Sequence, residues 1–345
     1  GVGGGVGKKG EVKNAVLYLQ GGPGFESPRP TSLGDGFVQA LLQGSSAFDA
    51  VYLLDQRGTG LSTPVSVESL EGMAEEERVP YLRCFRADSI VRDAEMARRA
   101  MFPGNAKWSL LGQSFGGFCS VTYLSLFPDA LNMVLLTGGI PPCLTGVPPT
   151  PALAGAKEGA GPSIAEAVYA RTFSRVRRQM DLFYEVYPGD EEVLRNVVLA
   201  ILDAGDKGVS LLDGSRLTLD TLQMAGISFL GASGGFARLH YLLERAFDSP
   251  AVPFTPAPPT EDVSARDPAL PPPPKKLSAW FIRHVIGALG FDSNPLYALL
   301  HEACYADGAA GPAGAAASQW AALRVRAATP PFADVAAAAR AGARV

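Results

Sequence analysis

The stretch Trp108-Ser109-Leu110-Leu111-Gly112-Gln113-Ser114-Phe115-Gly116-Gly117-Phe118-Cys119 decides the fold. An apolar run that reads as a buried strand stops at Gly112, and an apolar-periodic helix resumes at Phe115, so Ser114 falls on the turn between them. A sharp strand-to-helix turn brings backbone segments so close that a Cβ at Gly112 or Gly116 would collide, and bare glycine there lets Ser114 project. Its hydroxyl is then expected above the sheet at a helix N-terminus, with the Phe115 backbone N–H free to bind a developing oxyanion. G-x-S-x-G arises by chance in a chain with 39 glycines. The strand before it, the helix after it and a second glycine motif upstream favour a nucleophile elbow built for acyl transfer.

Outward from the elbow, strands and helices alternate. Asn14-Ala15-Val16-Leu17-Tyr18-Leu19 reads as a buried strand emptying into Gln20-Gly21-Gly22-Pro23-Gly24, a tight loop that presents backbone N–H groups. Gly22 is the candidate second oxyanion donor, with Gly21 in reserve. Phe48-Asp49-Ala50-Val51-Tyr52-Leu53-Leu54 is the next strand and ends in Asp55-Gln56-Arg57-Gly58-Thr59-Gly60-Leu61-Ser62, where Asp55 and Arg57 are expected to pair and brace the oxyanion loop. Ala87–Met101 is amphipathic with Asp88 as its N-cap, and Leu131–Thr137 is a further strand. This order implies an α/β fold around a mainly parallel sheet with right-handed crossovers.

After Gly138-Gly139-Ile140-Pro141-Pro142 the alternation stops, and helices are expected over 163–187, 191–204, 218–230 and 236–247, an inserted helical cap. A proline-rich, low-complexity insertion occupies about 249–276, helices resume at Leu277, and 308–317 is another small-residue tract. The expected domains are therefore a core at 11–140, a cap at 141–328 and, at 329–345, an alanine-rich tail that reads as a frayed helix.

Composition narrows the function. The chain has 345 residues, 47% of them hydrophobic, enough for one large core with an insertion or for two domains. A formal charge of -4, with no basic run interleaved with aromatics, argues against nucleic acid as a partner. The four cysteines, Cys84, Cys119, Cys143 and Cys304, lie far apart without metal-type spacing and read as free thiols in a reducing, cytoplasmic compartment. No run reaches membrane-span length, so no membrane partner is expected. The opening residues 1–10, glycine-rich with two lysines, do not read as a signal peptide, and without an initiator methionine organelle targeting is not legible.

The elbow at 112–117, the loop Gly21-Gly22-Pro23-Gly24 and the turn Asp55-Gln56-Arg57-Gly58-Thr59-Gly60, in that family's order, resemble the prolyl aminopeptidase (proline iminopeptidase) family of α/β-hydrolases. The likeness continues through Gly235-Phe236-Ala237-Arg238-Leu239-His240-Tyr241-Leu242-Leu243-Glu244 and Asn294-Pro295-Leu296-Tyr297-Ala298-Leu299-Leu300-His301-Glu302 and covers most of 11–330; Gln20 departs from the histidine many members carry. The resemblance implies a cofactor-free and metal-free serine aminopeptidase that removes an N-terminal residue, typically proline, from a small peptide. Ser114 attacks the scissile carbonyl while the Phe115 and Gly22 N–H groups hold the oxyanion. A free α-amine calls for a carboxylate at the site, with Glu302 the first candidate and Glu244 the second.

An acid and a base are missing from this picture. In this fold the aspartate and histidine of the triad follow the serine on loops after late strands, but beyond Leu323 the sequence offers no apolar strand and no histidine. His240, His284 and His301 all read as cap residues. The expectation is a truncated chain, its sheet incomplete at both ends, with the acid and base beyond Val345 and negligible activity by itself. The rival readings are an esterase or other hydrolase on the same fold, and a non-catalytic relative that uses its pocket for binding.

Overall fold

The structure is a computed structural model that describes residues 2–7, 12–30, 36–44, 48–102, 104, 106–141, 164–248, 276–288, 294–305, 320–329 and 332–343. The proline-rich segment up to 275, the tract 308–317 and Cys143 lie outside the described residues. The chain divides into two compact units, Gly1–Val168 with Phe291–Ala322 and Tyr169–Gly290 with Leu323–Val345.

The first unit is built on a five-stranded sheet of β1 (Val2–Gly7), β2 (Ala15–Leu19), β3 (Ala50–Leu54), β4 (Trp108–Gln113) and β5 (Leu131–Thr137), in the spatial order β1-β3-β2-β4-β5. The pairs β2–β3, β2–β4 and β4–β5 are parallel, and β1 runs antiparallel to β3. β2 is buried at every position and β3 at all but Tyr52, as expected of strands covered on both faces. The glycine-rich opening is therefore a strand, and it supplies the antiparallel edge that the sequence was expected to lack.

Between the strands lie α1 (Gly36–Gln39), which widens into a π turn at Ala40–Gly44, then α2 (Val67–Glu71), α3 (Glu75–Arg83) and α4 (Ala87–Met101); α5 (Phe115–Leu126) follows β4. The N-cap of α4 is Arg86 rather than Asp88, which sits in the first turn. The core beside the elbow gathers Leu17, Leu19, Ile90, Val91, Trp108, Leu110, Phe115, Cys119 and Tyr123.

A buried polar network ties α4 to β4 and α5. Glu95 is 4% exposed and Arg98 3%. The Glu95 carboxylate accepts Arg98 Nε at 2.9 Å, Arg99 Nε at 2.7 Å and the Tyr123 hydroxyl at 2.7 Å, while Trp108 Nε1 donates to the Tyr123 oxygen at 3.2 Å. The charge-assisted bond from Arg98 does most to stabilise the carboxylate, which is held down at about 2 despite its burial.

The second unit is helical. It contains α7 (Asp190–Asp203), a short hairpin of β6 (Val209–Ser210) and β7 (Arg216–Leu217), α8 (Leu219–Leu230), α9 (Gly235–Leu243) and α10 (Ala279–Gly287), and the unit boundary falls inside α6 (Ile164–Val186). Phe183, Tyr184, Val197, Ile201, Leu217, Leu243, Phe281 and Val285 form its core. Phe247 and Leu277 form a bridge, so the chain leaves for the proline-rich insertion and returns from it at one point.

Two boundaries differ from expectation. Residues 291–322, assigned by sequence to the cap, cluster with the sheet unit: Asn294 Nδ2 donates to the Pro23 carbonyl at 3.2 Å, and Leu296 is buried with Val65 and Phe85. This segment carries α11 (Pro295–Leu300) and the turn Glu302–Tyr305. α12 (Ala321–Ala328) begins at its end. In the tail, α13 (Val335–Arg340) is capped by Asp334, whose carboxylate accepts the Ala337 N–H at 2.7 Å.

Candidate active site

Ser114 is the one residue between β4 and α5, and its backbone stands at φ 52, ψ -117. For a non-glycine residue this is strained backbone, of the kind that costs about 1–3 kcal/mol and that proteins retain at functional positions. Surrounding bonds impose it: Ser114 N–H donates to Thr137 O at 3.1 Å and Gly117 N–H to Ser114 O at 2.8 Å. A Cβ on Gly116 would strike the Leu19 carbonyl, and one on Gly112 the Gly116 carbonyl and Ser120 hydroxyl. The glycines therefore let β2, β4 and α5 close around the turn, and Ser114 is left exposed.

The glycine loop after β2 abuts this serine. An ideal Cβ on Gly21 would lie 3.0 Å from Ser114 Cβ. Gln20 sorts the two candidate donors of this loop. Its Oε1 accepts both the Gly21 N–H and the Tyr18 hydroxyl at 2.8 Å, so Gly21 is occupied, whereas the Gly22 N–H has no acceptor among the described residues. The Phe115 N–H, first in its helix, likewise has none among them. Gln56, 2% exposed, holds the loop from below by donating Nε2 to the Gln20 carbonyl at 3.0 Å. Sequence alone marked Gln20 only as a departure and passed over Gln56; the one available signal was a pair of amides beside the two glycine turns.

The expected pairing of Asp55 with Arg57 does not occur. Asp55 is 1% exposed and accepts the Ser27 N–H at 3.1 Å, the Leu61 N–H at 2.9 Å and the Arg29 guanidinium. Burial raises its pKa, but the bonds from Leu61, Arg29 and Ser27 outweigh it and hold the carboxyl below its ordinary value. Arg57 reaches to α4 and makes a two-pronged bond to Asp93, 2.6 Å on each arm. The loop is thus braced through Ser27 and Arg29, and the turn through Asp93, because a buried carboxylate is best satisfied by backbone donors that cannot move away.

The two amine candidates occupy different settings. Glu302 is in the first unit, 7% exposed, and its two oxygens accept the Ala321 N–H at 2.8 Å and the Ala322 N–H at 3.0 Å, capping α12. Glu244 belongs to the second unit, follows α9, and lies 3.5 Å from His240 Nε2 with its side chain 55% exposed.

The three histidines are held by their own surroundings. His240 Nδ1 is 2.9 Å from Asp190 with its ring stacked on Tyr187, and His284 Nδ1 is 2.8 Å from the Trp280 carbonyl. His301 lies between Tyr297 and Tyr305. Burial lowers its pKa, and the neighbouring Glu302 charge offsets this only in part. No hydrogen bond joins the Ser114 hydroxyl to an imidazole among the described residues. Cys84, Cys119 and Cys304 are free thiols, and burial raises Cys304 to about 12, far from a reactive thiolate. No described helix is long and apolar enough to cross a membrane.

A parallel sheet feeding a strained serine into a helix N-terminus, beside a glycine loop with an uncommitted N–H, defines an α/β-hydrolase fold, and the α/β hydrolase fold family matches residues 14–173. Within that fold the chain is similar to proteins named proline iminopeptidase. It is 42% identical to proline iminopeptidase of Aeromonas sobria over 311 residues, 90% of this chain and 59% of the relative. Proline iminopeptidase aneH of Aspergillus aculeatus is 29% identical over 325 residues, 92% of this chain and 59% of that protein. The chain thus spans about three-fifths of the length of these relatives. The peroxisomal α/β-hydrolase Lpx1 of Saccharomyces cerevisiae matches 43% of this chain and 36% of its own at 19% identity and a TM-score of 0.27, too slight a match to bear on the fold.

Proposed function

We propose that this chain carries the nucleophile and oxyanion hole of a serine aminopeptidase that releases an N-terminal residue, proline, from small peptides through an acyl-enzyme. The observation that carries this is Ser114, exposed at positive φ between strand and helix, with the Phe115 N–H and, in the adjoining glycine loop, the Gly22 N–H without acceptors among the described residues. In the reaction, Ser114 Oγ attacks the scissile carbonyl, the two N–H groups stabilise the oxyanion, and the amine of the shortened peptide leaves. Water then attacks the prolyl ester and frees Ser114. Substrate choice rests on the relatives, whose names specify a proline iminopeptidase.

No general base or acid is assigned among the described residues, and without one Ser114 is a weak nucleophile. Glu302 is assigned the substrate amine, using lone pairs left over from capping α12. The test is hydrolysis of a prolyl arylamide against a simple aryl ester by the full-length protein and its Ser114→Ala variant. Loss of arylamide turnover in Ser114→Ala supports the assignment, and turnover of the ester alone points to an esterase.

A further inference from the structure

The glycine loop after β2 is held at three points. Near its start the Gln20 carbonyl accepts Gln56 Nε2 at 3.0 Å, and at its end the Ser27 N–H donates to Asp55 at 3.1 Å. The middle hold comes from much farther along the chain: Asn294, 4% exposed and 271 residues on, donates Nδ2 to the Pro23 carbonyl at 3.2 Å. The other end of the same carboxamide is committed too, because Oδ1 accepts the Tyr297 N–H at 3.0 Å and caps α11. One buried side chain therefore joins the loop to the start of a helix.

That helix start is itself wedged in place. Leu296, 2% exposed, packs with Val65 and Phe85. A Cβ on Gly24 would overlap Asn294 Oδ1 and come within 2.8 Å of Leu296 Cβ, and one on Gly58 would come within 2.8 Å of Leu296 Cδ1. The first residues of α11 are thus seated against the glycine loop and the Asp55 turn at once.

We infer that Asn294 is a positioning residue of the oxyanion hole, which fixes the direction of the Gly22 N–H from the side opposite Gln56. The inference rests on the assignments of Ser114 as nucleophile and Gly22 as donor. The Gly22 N–H belongs to a peptide that lies between the two held carbonyls, Gln20 before it and Pro23 after it. Gly22 and Gly24 stand at φ 127 and 93, where no side chain confines the backbone, so the heading of that N–H depends on what anchors the peptides to either side. An oxyanion donor is effective only if it is aimed before charge develops. A donor turned aside by a loose Pro23 carbonyl forfeits transition-state stabilisation and leaves ground-state binding nearly untouched.

Two variants separate the tether from the cap. Aspartate and serine cap a helix about as well as asparagine, but aspartate lacks the donor and serine is too short to reach Pro23 from the cap. In the full-length protein, Asn294→Asp and Asn294→Ser are each expected to lower kcat about tenfold for a prolyl arylamide and for a simple aryl ester alike, with KM within about twofold. Asn294→Ser keeps the thermal midpoint near that of the parent, whereas Asn294→Ala loses both midpoint and kcat. Should the buried carboxylate of Asn294→Asp prevent folding, Asn294→Ser gives the same reading. An unchanged kcat in Asn294→Ser overturns the inference, and so does a loss confined to KM or to the arylamide, which would make Asn294 a substrate contact. The underlying assignment fails separately, if Ser114→Ala keeps its turnover whatever the Asn294 variants do.

Discussion

Ser114 stays at positive φ only because Thr137 and Gly117 hold its backbone and glycines let three elements converge on it. That close approach was legible in the sequence, since it needs small residues at fixed offsets from the serine. What Gln20 does was not legible, because its partners are chosen by the path of the loop. Gln20→Ala leaves the Gly21 N–H without its acceptor and loosens the oxyanion loop, so kcat for a prolyl arylamide in the full-length protein falls about tenfold with KM little changed. A matching rise in KM would show that Gln20 shapes substrate binding instead. Glu302→Gln tests a second residue with two jobs. A carboxamide replaces one of the two accepting oxygens with an NH2 donor, so one of the Ala321 and Ala322 N–H groups loses its present acceptor and the thermal midpoint drops. The amine assignment adds a loss of about 1.5–3 kcal/mol in kcat/KM for free-amine substrates that an N-acylated ester does not share. Equal losses on both substrates would leave Glu302 as a helix cap only.

Helix α4 was legible as an element, from its apolar stripe and its length. The role of its charged residues was not legible, because Glu95 and Arg98 face the core rather than solvent and the Tyr123 hydroxyl that bonds Glu95 lies 28 residues away on α5. The same distance problem hid Asp93 from Arg57, 36 residues apart. Breaking a buried pair on one side leaves the other charge uncompensated, so Glu95→Ala is expected to cost about 3–5 kcal/mol in equilibrium unfolding. The network also sets an acid limit. Glu95 has its folded pKa depressed to about 2 from 4.5, so its stabilisation is fully present above the unfolded value and is lost as pH falls from about 4.5 through 2. That shift corresponds to about 3 kcal/mol, read as a falling denaturant midpoint across this window that is flattened in Glu95→Gln. An unchanged acid slope in the variant would place the sensitivity elsewhere.

The division into two units shows where pattern reading stopped. Alternating strands and helices up to Thr137 announced the α/β sheet, and the run of helices after 163 announced a helical part. Residues 291–322 were misassigned to that part because a helix pattern carries no record of which unit it packs on; Asn294 on Pro23 and Leu296 beside Phe85 decide it. The glycines of β1 concealed a strand for a related reason, since pairing with β3 substitutes for the side-chain signal. If the base and acid come from outside these 345 residues, the chain by itself turns over prolyl arylamide negligibly while the full-length protein is active, and comparable rates would return the base to His240, His284 or His301. Most direct is the identity of the nucleophile. The full-length protein is treated with a fluorophosphonate and digested, and its peptides are read by mass spectrometry. The label is expected on Ser114 alone and absent from Ser114→Ala, with prolyl arylamide turnover in that variant down by about three orders of magnitude or more. A label on another residue, or a Ser114→Ala protein that still turns over substrate at the original rate, would contradict Ser114 as the nucleophile.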